Sequence, residues 1–114
     1  MSKFQECLDT YDKEFKKLGI KYDAKMLGVV AKACGPTIYK SDAAKVSSAD
    51  AKELDRVKKN FLIKKLGLKD TPKLDEGIQH VIGQFGKSNR NKYRAMFYYL
   101  LAKKFRKSAM FKPA

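Results

Sequence analysis

Eight consecutive apolar side chains, Ala95 to Ala102, stand between Arg94 and Lys103. At the 3.6-residue period of a helix, the stretch from Tyr93 to Ala102 points apolar groups in every direction, which suits a helix enclosed by others and not one lying on a surface. The run is far shorter than the roughly 20 residues that cross a bilayer, so no membrane span is expected. The remaining way to bury it is to wrap a domain around it, and every other segment can be read as part of that wrapping.

Phe4, Leu8, Tyr11, Phe15 and Leu18 recur at the spacing that stacks side chains on one helix face, predicting a helix from Ser2 to Leu18 ended by Gly19. Asp23 caps a second helix with Met26, Leu27 and Val30 inward, stopped at Gly35-Pro36. Thr37 to Val46 is the least regular part, a turn with a brief helix opened by Ser41 or Asp42. Asp50 and Glu53 have capping-box spacing ahead of a stripe of Leu54, Val57, Phe61 and Leu62 that ends at Leu66-Gly67-Leu68. Pro72, after Asp70 or Thr71 as cap, opens a helix with Leu74, Ile78, Val81, Ile82 and Phe85 inward and Gly86 closing it. Ser88 then caps a final helix from Asn89 to Lys107. Strand-like alternation is missing throughout. The expected fold is all-α: a single compact domain over residues 1–107, five to six helices packed around the buried C-terminal one. Residues 108–114 form a short basic tail, expected to pack back or fray.

The 114 residues suit one domain. Lys16-Lys17-Leu18-Gly19-Ile20-Lys21 is echoed by Lys64-Lys65-Leu66-Gly67-Leu68-Lys69. Two copies do not make a repeat array, so the echo reads as one helix-ending device used twice.

Charge is the other constraint. The net charge is +14, and it is uneven: residues 1–85 carry +5, while residues 86–114 carry nine cations and no acid. Such a balance favours nucleic acid or an acidic protein as partner. Two cysteines, Cys7 and Cys34, are too few for a disulfide framework or a zinc cage. Met1-Ser2-Lys3-Phe4-Gln5-Glu6 lacks the apolar stretch of a secretory signal, so the cytoplasm is the expected location.

Catalytic patterns do not assemble. Gly86-Lys87-Ser88 resembles the end of a phosphate-binding loop, but Val81 stands where that loop needs a glycine, and a helix precedes it where a strand is needed. His80 is the lone histidine and lacks co-ligands, so no metal is expected. The cysteines read as small apolar residues that can oppose one another across packed helices, and the acids as helix-start charges. No catalytic residue and no cofactor is assigned.

The strongest local anomaly is Lys87-Ser88-Asn89-Arg90-Asn91-Lys92-Tyr93-Arg94, four cations at the start of a helix, where the helix dipole disfavours them. One compensation is a bound anion held by Lys87, Ser88, Arg90, Lys92 and Arg94 with the free amides of the first turn. The other is internal pairing with Asp70, Asp75 or Glu76. A DNA-reading helix-turn-helix is disfavoured, because a reading helix exposes a polar middle and this one is apolar there.

Gly35-Pro36-Thr37-Ile38-Tyr39, Asn60 to Leu68, Pro72-Lys73-Leu74-Asp75, and Ser88 to Ala95 followed by Phe97-Tyr98-Tyr99-Leu100-Leu101 carry a resemblance. They resemble a family of small bacterial proteins known only as a domain of unknown function. The resemblance implies a compact helical protein of this length and supplies no activity, cofactor or site residue. Three functions stay open: a non-enzymatic binding module for an acidic partner, a protein-interaction or self-assembly module, and a small enzyme or ligand binder with a pocket beside Tyr39, Tyr93 or Tyr98.

Overall fold

A computed structural model of the chain describes residues 3–40 and 43–111. Five α-helices follow one another: α1 (Lys3–Leu18), α2 (Ala24–Cys34), α3 (Ala51–Val57), α4 (Pro72–Phe85) and α5 (Arg94–Lys104). A 3₁₀ turn (Gly35–Tyr39) extends α2, a π-helical segment (Lys58–Lys65) continues α3, and a second 3₁₀ turn (Ser108–Phe111) follows α5. The domain is all-α; among the described residues β pairing is confined to one isolated antiparallel bridge, Lys45 with Tyr93. No described helix is long and apolar enough to cross a membrane.

Helix α5 is the axis. Ala95, Met96, Phe97, Tyr99, Leu100, Leu101 and Ala102 are all buried, on every side of the helix, and α5 packs against both α2 and α4. Rings key the layers together. Phe85 of α4 stacks on Phe97 at 5.9 Å, Phe61 stacks on Tyr98 at 4.1 Å, and Phe15 of α1 meets Tyr99 edge-on at 5.6 Å. The expected inward faces of α2 and α4 are buried as read.

The Gly19 and Gly67 echo has a common backbone cause, since both adopt φ +71°, the left-handed conformation that a side chain disfavours. At Gly19 the chain closes as a Schellman turn, with Ile20 N–H donating to the Phe15 carbonyl at 3.0 Å. At Gly67 the ring is one residue wider, Leu68 N–H to the Leu62 carbonyl, because the preceding turn is already π-wound. That winding follows the apolar residues: Val57, Phe61, Leu62 and Leu66 lie four, five and nine apart, and all are buried. A longer period than 3.6 keeps them on one face.

The N-terminal signals were partly used. Asp23 caps α2 through the amides of Lys25 and Met26, and Asp50 caps α3 through that of Lys52. Glu53 does not complete the capping box; it reaches Arg94 instead. Thr71 stands at the start of α4 without a side-chain bond, and Asp70, the other cap candidate, pairs with Lys58 at 3.0 Å. The expected helix start at Ser41 or Asp42 lies outside the described residues.

The final helix is shorter than the sequence suggests, beginning at Arg94 and not at Asn89, and Ser88 is not its cap. Two asparagines hold residues 89–93 away from the helix. Asn89 accepts from the Asn91 amide at 2.8 Å and donates to the Phe85 carbonyl at 3.1 Å, closing a local turn that competes with helical bonding. At the other end the chain turns at Arg106, φ +58°. Phe105 lays its ring on Gly77 of α4, where an added Cβ would come within 2.3 Å of it. The segment expected as a tail therefore joins the core through residue 111: Phe111 is buried and stacks toward Phe61 at 6.2 Å.

Candidate functional site

The loop before α3 and the loop before α5 are tied side by side. Val46 N–H donates to the Lys92 carbonyl and Arg94 N–H to the Ala44 carbonyl, each at 2.7 Å. This pairing leaves a hollow of about 580 Å³ between them. Lys45, Ser47 and Ser48 line one side, and Lys87, Ser88, Arg90 and Lys92 the other; among the described residues no acid lines it.

Lys92 forms the built part of this hollow. The residue is 2% exposed, and its ammonium donates to the carbonyls of Lys87 (3.1 Å) and Asn89. Two carbonyl dipoles hold the charge without a carboxylate, and removal from water lowers the lysine's pKa. The same two bonds fold residues 87–92 into a loop that turns Lys87, Ser88 and Arg90 outward, where all three are exposed. Lys45 lies over the Tyr93 ring at 5.2 Å and donates to Asn91 at 3.1 Å. No described carboxylate pairs with Lys45, Lys87, Arg90 or Lys92.

Four of the five residues picked from the sequence thus meet, and Arg94 does not join them. Its guanidinium turns to the other side of the loop and donates to the Ala43 carbonyl (2.7 Å), the Tyr98 hydroxyl (2.9 Å) and Glu53 (2.5 Å). Burial works against that charge, but Tyr98 and Glu53 outweigh it and raise the arginine's pKa. Internal pairing is therefore real for Arg94, though with Glu53 and not with the acids of α4. Asp70 and Asp75 are taken by Lys58. Lys45, Ser47 and Ser48 were not picked from the sequence, where a serine pair before a capping aspartate reads only as a turn.

The family described as protein of unknown function (DUF2853) matches residues 10–109. The chain belongs to that family. No curated protein matches it. The DUF2853 match takes in both loops of the hollow and helices α2 to α5 whole.

The other cations of this DUF2853 domain lie elsewhere. Lys103 and Lys104 border a hollow with Lys21 and His80, and Lys112 lies outside the described residues. His80 is exposed, and the described residues hold no group of His, Cys, Asp and Glu arranged for a metal. Both cysteines are free. Burial pushes the Cys34 thiol up to about 11 from 9.0, with Arg94 pulling the other way, and burial also raises Cys7. Since the thiolate is the nucleophile, Cys34 is expected to react with iodoacetamide at pH 8 about a hundredfold more slowly than an ordinary thiol. Urea should restore the rate, and equal rates in folded and unfolded protein would contradict this reading.

Proposed function

We propose that this domain is a non-enzymatic binding module that engages the phosphates of a nucleic acid at the hollow between residues 45–49 and 87–92. The observation that carries the reading is the gathering there of four cations that no described carboxylate neutralises, one of them buried. Phosphate oxygens are commonly held by such a set of lysine, arginine and serine donors. Nucleic acid is favoured over an acidic protein because the hollow offers charge and hydroxyls but few apolar anchors, which protein interfaces use at their centres. Among the described residues Tyr39 and Met110 are the large apolar side chains left exposed, too little for a self-assembly face.

The test is titration of labelled single-stranded and duplex DNA and RNA at several salt concentrations. Binding should weaken with a log–log slope of roughly −0.7 to −0.9 per phosphate neutralised. Replacing Lys87 and Arg90 together by Gln should reduce the magnitude of that slope by about 2 and weaken all sequences alike. Both side chains are exposed and free of ion pairs with described residues, so the fold should survive the change. Absence of binding at about 50 mM salt, or a slope unchanged by the double substitution, would overturn the reading.

A further inference from the structure

On the far side of the α5 start from the cationic hollow, a second depression of about 300 Å³ opens between α2, the π-helical segment and α5. Its size lies at the lower end of the range for small-molecule sites. One wall is aliphatic, from Val30 and Ala33 of α2; the opposite wall is aromatic, from Phe61 stacked on Tyr98. Its charged and amide groups are three, Arg94, Asn60 and Lys65; the hydroxyls of Thr37 and Tyr98 also line it, one donating to the Cys34 carbonyl and the other accepting from Arg94.

Those three have different degrees of freedom. Arg94 is largely buried, its side chain 14% exposed, and its charge is matched by Glu53 at the same exposure. It still has N–H groups on Nη1 and Nη2 without a partner among the described residues. Lys65 and Asn60 are exposed, and their side chains carry no ion pair or hydrogen bond with described residues. The depression therefore holds one unmatched positive charge, one fixed guanidinium edge and a free amide against apolar walls. Both Asn60 and Lys65 belong to the π-helical segment.

We propose that this depression binds a small monocarboxylate with an aromatic or branched aliphatic body. The body fills the space between Val30, Ala33 and the Phe61–Tyr98 pair, and the carboxylate meets Lys65 and a remaining N–H of Arg94. A single unmatched cation suits a monoanion, and the apolar walls would leave a bare phosphate without contacts on its flanks. Cys34 lines the same space, where burial raises its pKa, and no reaction is assigned to it.

Benzoate, phenylacetate and isovalerate are the probes, titrated into ¹⁵N-labelled protein, with inorganic phosphate and benzyl alcohol as comparison ligands. Saturable amide shifts centred on Ala33, Thr37, Asn60 and Phe61 are expected with the carboxylates. Ala33 is exposed on α2, so Ala33→Phe should preserve the fold while filling the space and abolishing those shifts. Lys65→Met should weaken benzoate about tenfold, the size of one charge-assisted contact, and leave benzyl alcohol unchanged. The proposal falls if none of the three carboxylates gives saturable shifts there, or if phosphate or benzyl alcohol binds as tightly as benzoate. It falls equally if Lys65→Met leaves benzoate affinity unchanged. The Lys87/Arg90 pair tests the cationic hollow separately, so either site can fail without the other.

Discussion

Truncation of Phe97 to Ala is expected to destabilise the domain by about 4 kcal/mol and to lower its Tm by roughly 15 °C. Phe97 has no exposure, and its ring stacks on Phe85 of α4 at 5.9 Å and 12°. The surrounding helices cannot close over the space it would leave, because α5 is hemmed in on every side and a shift toward one neighbour opens a gap at another. The cost is therefore the lost transfer of the ring plus an unrelaxed cavity. Domains of this size commonly have a total stability of about 6–17 kcal/mol, so one ring accounts for a large share. Urea denaturation followed by circular dichroism measures it. A loss below about 1 kcal/mol would mean that α5 is not the axis around which the domain packs.

Replacing Glu53 by Ala is expected to cost about 3 kcal/mol, more than removal of any exposed acid. Glu53 meets Arg94 at 2.5 Å with both side chains only 14% exposed. Its loss leaves a guanidinium partly buried without its counter-charge, a deficit that Tyr98 and the Ala43 carbonyl cannot fill because neither carries a charge. The consequence extends beyond one pair. Arg94 fastens the loop before α3 to the start of α5 through its backbone bond to Ala44 and its side-chain bond to Ala43. Glu53→Gln keeps an acceptor and should cost about half as much. As a comparison, Asp55→Ala removes only an exposed pair with Lys59 and should change stability by less than about 0.5 kcal/mol. Equal effects of Glu53→Ala and Asp55→Ala would show that the Arg94 pair contributes nothing special. Glu53→Ala should also loosen the cationic hollow, since Ala43 and Ala44, which Arg94 holds, lead directly into residues 45–49 that form one of its sides.

The contrast between Glu53 and Asp50 shows how far local reading reaches. Asp50 caps α3 as its position implies, because the cap bond spans two residues and depends on little else. Glu53 has the right spacing to complete the box, yet an arginine 41 residues away takes it. In the same way Ser88 sits where a cap would be useful, but Asn89 and Asn91 fold the chain into a turn first. The π-helical winding was visible in principle in the four, five and nine spacing of Val57, Phe61, Leu62 and Leu66; the stripe alone suggested an ordinary helix. Of the candidate site, the segment from Lys87 to Lys92 was legible as a charge anomaly. Its facing side, Lys45 with Ser47 and Ser48, carried no comparable signal.

Read from residues alone, the chain already showed where α1, α2 and α4 lie, the glycines that end its helices and the enclosure of the segment from Ala95 to Ala102. Those features follow from periodicity and from bonds between residues a few positions apart, which act whatever the rest of the molecule does. Tertiary structure decided which side of α5 Arg94 faces and which loop lies against residues 87–92. Each of these depends on groups more than 40 residues apart, as in the bond from Lys45 to Asn91 across 46 positions. Such pairs form only once the packing of α2 and α4 on α5 has brought the loops together, and no local pattern encodes that approach.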